Sequence, residues 1–162
     1  MFIVNQETVK TLFNYSDGKL FWKIKPCFRV KRGQEAGTLG NDNYEHIGIF
    51  GKVYMLHRII YLYHHGYFPK YIDHINGNTL DNRIENLRKV TVTENQYNSK
   101  KRKDNTSGIK GVSWYKRDSK WRAQIKVNGK NIHLGTYTDI VEAENIIKKY
   151  REQHHGEHHN HG

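Results

Sequence analysis

Asp73-His74-Ile75-Asn76-Gly77-Asn78 is followed by Asp81-Asn82-Arg83-Ile84-Glu85-Asn86-Leu87 and then by Thr91-Val92-Thr93-Glu94-Asn95. A carboxylate stands beside an imidazole, directly after the strand-like pair Tyr71-Ile72. Thr91-x-x-Glu94 fits a capping box, which predicts a short helix with Asn95 in its first turns. Hydrolysing a phosphodiester needs a nucleophile, charge neutralisation and a stabilised leaving group. Asp73 offers a charged oxygen, Asn95 a neutral one and His74 a neutral base. Mg²⁺ prefers hard oxygens and keeps several waters, so one or two protein ligands are enough. Successive residues of a strand point to opposite faces. Asp73 and His74 can therefore flank one phosphate only where the strand bends or ends, and the turn signal Asn76-Gly77 is compatible with such an end. A lone histidine is more often packed or on the surface than a base; the spacing of the whole run is what carries the reading.

Composition narrows the partners. The 162 residues hold 27 Lys and Arg against 16 Asp and Glu, a formal charge of +11. Such an excess favours nucleic acid or an anionic surface. Hydrophobic residues make up only 36%, yet 11 Tyr, 6 Phe and 3 Trp can build small cores. No stretch approaches a membrane span, and Met1-Phe2-Ile3-Val4 does not open a signal peptide, so the expectation is a cytoplasmic protein without a membrane partner. The single cysteine, Cys27, leaves no internal disulfide framework and no Cys-pair zinc site.

Periodicity predicts a helix over residues 5–14, capped by Asn5 and buried through Val9, Leu12 and Phe13. Tyr15-Ser16-Asp17-Gly18 is a turn signal, and strands are expected at 19–25, 44–50 and 52–55. Leu56, Ile59, Ile60 and Tyr63 share a helical face over 56–65, with Gly66 as the stop. His57 and Arg58, at the start of that helix, are candidate phosphate contacts; a helix-terminal surface pair is the alternative. Residues 99–107 read as a polar, basic linker. Beyond it, strands are expected at 109–114, 121–127 and 131–137, with Asn128-Gly129 as a hairpin turn. A helix follows from Asp139 to about Arg151, and the His-rich residues 152–162 read as a disordered tail.

Between Asn98 and Lys126, ten basic side chains face two acidic ones, with Trp114, Tyr115 and Trp121 among them. Arg122, Gln124 and Lys126 fall on one strand face, and Trp121, Ala123, Ile125 and Val127 on the other. A sheet with one basic face and one apolar face is more specific than a charge run, and it suits salt-sensitive binding to phosphates.

The run Tyr71 to Asn98, with the upstream segment GKVYMLHRIIYLYHHGYFP, resembles the HNH nuclease motif of phage homing endonucleases, with Asn in place of the final His. The resemblance implies a ββα-metal fold around one divalent ion, Mg²⁺ or Mn²⁺. It implies His74 as the general base, Asp73 and Asn95 as metal ligands, and products with 5′-phosphate and 3′-hydroxyl ends. Asn86 would orient the His74 ring, and Asn82 could take that place instead. The segment GIKGVSWYKRDSKWRAQIKVNGKNIHLGTYTDIVEAENI is similar to the plant ethylene-response-factor (Apetala-type) DNA-binding domain. That resemblance implies a three-stranded sheet in the major groove, with Lys110, Ser113, Tyr115, Gln124, Lys126, Asn131 and His133 facing DNA. Arg117 and Arg122 are plausible additions.

The expectation is therefore an α+β protein. A nuclease module with an N-terminal antiparallel β region spans 1–98, and a sheet-and-helix DNA reader spans 108–151. The expected activity is metal-dependent, site-preferring cleavage of double-stranded DNA by a monomer that nicks one strand at a time. The competing expectation is a DNA-binding regulator whose nuclease motif is inert. An RNA-binding protein fits the charge but not the Asp-His-Asn arrangement.

Overall fold

The computed structural model of the chain describes residues 3–97 and 104–155. Its elements run in the order α1 (Gln6–Leu12), β1 (Phe13–Ser16), β2 (Lys19–Trp22), β3 (Glu35–Ala36), β4 (Thr38–Leu39), β5 (Glu45–Ile49), β6 (Lys52–Met55), α2 (Leu56–His65), β7 (Tyr71–His74), a 3-10 turn (Ile84–Asn86), β8 (Leu87–Val90), α3 (Val92–Tyr97), β9 (Val112–Tyr115), β10 (Lys120–Val127), β11 (Lys130–Tyr137) and α4 (Ile140–His155). They form two compact units, Met1–Val90 and Thr91–Gly162. This border precedes the one read from the sequence at Asn98. All strand pairing is antiparallel, so the protein is of mixed α+β class.

In the first unit, α1 is shorter than periodicity suggests. Asn5 caps it by accepting from the Thr8 N–H at 2.8 Å, as expected. Phe13 and Asn14, however, leave the helix to pair with Trp22 and Phe21 in the β1–β2 hairpin. Two further small sheets follow, β4-β5-β6 and the β7–β8 pair, while β3 adds to the edge of β2. The predicted α2 is found over 56–65. It ends at Gly66 (φ 80°), whose N–H donates to the Leu62 carbonyl. Val9, Phe13, Leu20, Leu56, Ile59 and Ile60 are wholly or almost wholly buried around this helix. Each such side chain contributes about 1.5–3 kcal/mol, so the core that carries the β7–β8 pair is built on α2.

The second unit contains α3. Its Tyr97 hydroxyl accepts from the Asn128 N–H at 2.9 Å, and its Tyr97 carbonyl accepts from Lys110 Nζ at 3.0 Å. The capping box is formed: Thr91 N–H donates to Glu94 Oε2 and Glu94 N–H to Thr91 Oγ1. The sheet order is β11-β10-β9, and Asn128 and Gly129 both take positive φ in the tight turn, as their sequence signals. The core is Val112, Ala123, Ala143 and Ile147, with Trp121, Leu134 and Tyr137 packed around it. Helix α4 runs four residues past Arg151, to His155, so the start of the supposed tail is helical; residues 156–162 lie outside the described residues. Part of the supposed linker is also ordered, because Ser107 Oγ donates to the Val112 carbonyl at 2.7 Å and Asn105 Nδ2 to the Ile109 carbonyl at 2.9 Å. Residues 99–103 lie outside the described residues.

Gly111 is the tightest point of this unit. It has φ +82°, and a Cβ there would sit 2.7 Å from the Gln124 carbonyl oxygen and against Ile147 Cδ1. Gly111→Ala should therefore cost at least roughly 2 kcal/mol, from backbone strain and overpacking together. Denaturant unfolding followed by amide exchange in β10 checks this.

Candidate active site

The loop that joins β7 to the 3-10 turn is knit from its own Asn and Asp side chains. Gly77 N–H donates to the His74 carbonyl, Asn78 N–H to Asn76 Oδ1 and Leu80 N–H to Asn78 Oδ1. These Asx turns substitute for regular structure. Asn76 Nδ2 donates to Asp81 Oδ2 at 2.7 Å, and Arg83 grips both Asp81 oxygens at 2.8 Å. The Arg83 guanidinium holds the Asp81 carboxyl below the usual carboxylate range, with Asn76 assisting. The β1–β2 hairpin presses on this loop. The Tyr15 hydroxyl accepts from the Ile84 N–H at 3.1 Å, and a Cβ on Gly18 would meet the Arg83 nitrogen at 2.8 Å.

Asn86 braces the loop rather than the histidine. It is 8% exposed. Its Oδ1 accepts from the Asn76 N–H at 3.0 Å, and its Nδ2 donates to Asn76 Oδ1 at 3.0 Å and to the Asp81 carbonyl at 2.7 Å. The ring contact belongs to Asn82, whose Oδ1 lies 3.1 Å from His74 Nε2. Of the two asparagines the sequence offered, Asn82 thus touches the ring.

His74 closes β7 opposite Leu87, and it is 4% exposed. Around its ring lie His57 (5.1 Å between centroids, edge to face), Tyr44 (6.2 Å) and Asn82. Asp73, one residue earlier, faces its cross-strand partner Arg88, which donates to Asp73 Oδ2 from Nη2 at 2.9 Å and Nε at 3.2 Å. The strand does end at His74, in the Asn76-Gly77 turn, as the sequence reading required.

The other candidates fall into three groups. His57 is 5% exposed and packed on His74, so it is not a surface phosphate contact. The hydrophobic spacing of α2 runs Leu56, Ile59, Ile60, and the helical turn carries His57 into the same core. Arg58 donates from Nη2 to the Pro69 carbonyl at 2.7 Å and lies over the Phe68 ring, so it secures the entry to β7. Asn95 is exposed on α3, in the second unit. In that unit, Ser113 and Thr136 lie opposite Arg122, His133 opposite Gln124 and Asn131 opposite Lys126, so these side chains share one face as expected. Tyr115, Arg117, Arg122, Gln124, His133 and Thr136 line a shallow cavity of about 400 Å³ together with Asp118. The Arg117 and Arg122 guanidinium groups each lie 5.2 Å from the Tyr115 ring centroid. Lys110 differs from the rest of the set. It is half-buried, donates to the Tyr97 carbonyl, and burial, with Arg151 nearby, lowers it to about 8.

In the first unit, adjacent Asp73 and His74 thus end one strand of the antiparallel β7–β8 pair. The HNH endonuclease family profile matches residues 54–97. Over 94 residues the chain is 42% identical to Protein 3.8 of Escherichia phage T7, covering 57% of this chain and 77% of that one. Over another 94-residue alignment it is 35% identical to an uncharacterized HNH endonuclease of Acanthamoeba polyphaga mimivirus, covering 56% of this chain and 47% of that protein. No solved structure matches the chain. The chain carries an HNH endonuclease domain over residues 54–97.

Burial first, then the neighbouring His74, Arg58 and His46, push the His57 imidazole down to about 3 from its ordinary 6.5. Below about 6.5 the unfolded chain takes up a proton at this position that the folded chain refuses. Stability from this group is thus complete above pH 6.5 and is lost as pH falls toward 3, by about 1.4 kcal/mol per pH unit. Denaturant midpoints measured across that range should fall more steeply for the wild-type chain than for His57→Phe.

Proposed function

We propose that the protein is a metal-dependent DNA endonuclease that hydrolyses phosphodiester bonds and nicks duplex DNA at preferred sites. The observation that carries this reading is the pairing of Asp73 and His74 at the end of β7, with the His74 ring held from behind by Asn82. His74 takes the proton of the attacking water. Asn86 keeps the loop closed so that this geometry persists.

The donors suit a hard divalent ion. Among the described residues, no group of three or more His, Cys, Asp or Glu could cage an ion by itself. A magnesium ion needs no such cage, since it keeps several waters and takes one or two carboxylates plus substrate oxygens. Asp73 is the first-unit oxygen donor that would hold Mg²⁺ or Mn²⁺, and the HNH resemblance adds Asn95 as a second. When bound, that ion would stabilise charge developing on the 3′ leaving oxygen. Arg88 fixes the Asp73 carboxylate by two hydrogen bonds, which lowers the cost of ordering it.

The second unit supplies affinity for duplex DNA. Its polar face gathers Ser113, Tyr115, Arg117, Arg122, Gln124, Lys126, Asn131 and His133, which agrees with its resemblance to the ethylene-response-factor domain. Lys110, turned to Tyr97, contributes least. Phosphate contacts of this kind position a protein on DNA without choosing a sequence.

A supercoiled-plasmid assay with Mg²⁺, Mn²⁺ or EDTA tests the proposal. Wild-type protein should relax the plasmid only with metal, and His74→Ala should lower the rate by about 10²-fold or more while still retarding DNA on the gel. Retardation without relaxation under every condition would mark a DNA-binding regulator instead.

A further inference from the structure

We propose that Glu45 is a positioning residue that sets the tautomer of His74 through the side-chain amide of Asn82. Its consequence for catalysis rests on the nuclease reading above; its consequence for the imidazole does not.

Asn82 lies between the two groups and is 2% exposed. Its Oδ1 is 3.1 Å from His74 Nε2, and its Nδ2 donates to Glu45 Oε2 at 2.7 Å. A primary amide is nearly symmetric in shape, so packing alone does not decide which end faces the ring. The carboxylate decides it. Ionised, Glu45 can only accept, so it selects the amide orientation that turns the NH₂ toward itself. The acceptor Oδ1 is then left facing the imidazole. A neutral ring that meets an acceptor at Nε2 must carry its proton there, and Nδ1 keeps the lone pair that a base requires. The reverse amide orientation would draw the proton to Nδ1 and remove the base.

Glu45 is well placed for this. It is the first residue of β5, and it alternates with Ile47 and Ile49, which are 3% and 2% exposed. Strand periodicity puts all three on one face, so a carboxylate is carried inward at the edge of an apolar row. The preceding residue, Tyr44, lies 5.5 Å from His57 and 6.2 Å from His74 between centroids. Tyr44 and His57 thus pack beside the His74 imidazole, while the amide chooses its proton.

Nitrogen NMR of the imidazole rings in the full chain, at a pH where His74 is neutral, reads the tautomer directly. The wild type should show His74 protonated at Nε2. Glu45→Ala should populate both tautomers, and Glu45→Met serves in its place if the Ala variant does not fold. Adding Asn82→Asp to Glu45→Ala should restore the single Nε2–H form, since a carboxylate at 82 accepts from the ring without help. A wild-type ring protonated at Nδ1, or a folded Glu45 variant that keeps one Nε2–H form, overturns the proposal. Metal-dependent nicking by Glu45→Ala should fall ~10- to 100-fold, as for other outer groups that orient a working histidine. If the tautomer shifts but the wild type cuts no DNA, the nuclease reading fails and the Glu45 role stands. If the wild type cuts and Glu45→Ala cuts equally fast, Glu45 does not position the base.

Discussion

The side-chain amide of Asn86 makes three hydrogen bonds across the loop between β7 and β8, and the site hangs on them. Without them, Asn76 would lose the clamp on both its backbone and its side chain, and the turn after His74 would open. Each buried polar group left unpaired would cost about 1–3 kcal/mol. The antiparallel register then does the rest. It sets His74 against Leu87, on the core side, and Asp73 against Arg88, on the other. Adjacent residues are thereby given opposite environments, one apolar and aromatic, the other ionic.

The two side chains therefore point to opposite faces of the strand. A strand interior would separate them by its thickness. The strand here stops at His74, and Asx turns follow it. The first unit supports this end from two directions. Helix α2 supplies the apolar floor and the buried His57, and the β1–β2 hairpin closes on the loop through Tyr15 and Gly18.

Much of this was legible in the sequence. The α2 boundaries, the capping box at Thr91, the hairpin at Asn128-Gly129 and the polar face of β10 all follow from local periodicity and turn chemistry, which short segments determine. What was not legible depended on contacts between distant segments. Phe13 and Asn14 leave α1 because pairing with β2 outweighs helix propensity. His57 looked like a helix-start surface residue because charge, not the neighbouring ring, decided the reading. The choice between Asn82 and Asn86 needed the fold of the loop, since they lie eight and twelve positions after His74 and no local periodicity selects either. Glu45 did leave a trace, as the one acidic residue in the alternating row Glu45, Ile47, Ile49, but its partner is thirty-seven positions away.

The claim at the centre of this account is that the His74 imidazole takes a proton during strand cleavage. Chemical rescue measures that most directly: free imidazole is added to His74→Ala protein with Mg²⁺ and supercoiled DNA, and the nicking rate is followed. The rate should rise with imidazole concentration in the variant and not in the wild type. A His74→Ala protein that nicks at the wild-type rate without imidazole would contradict it.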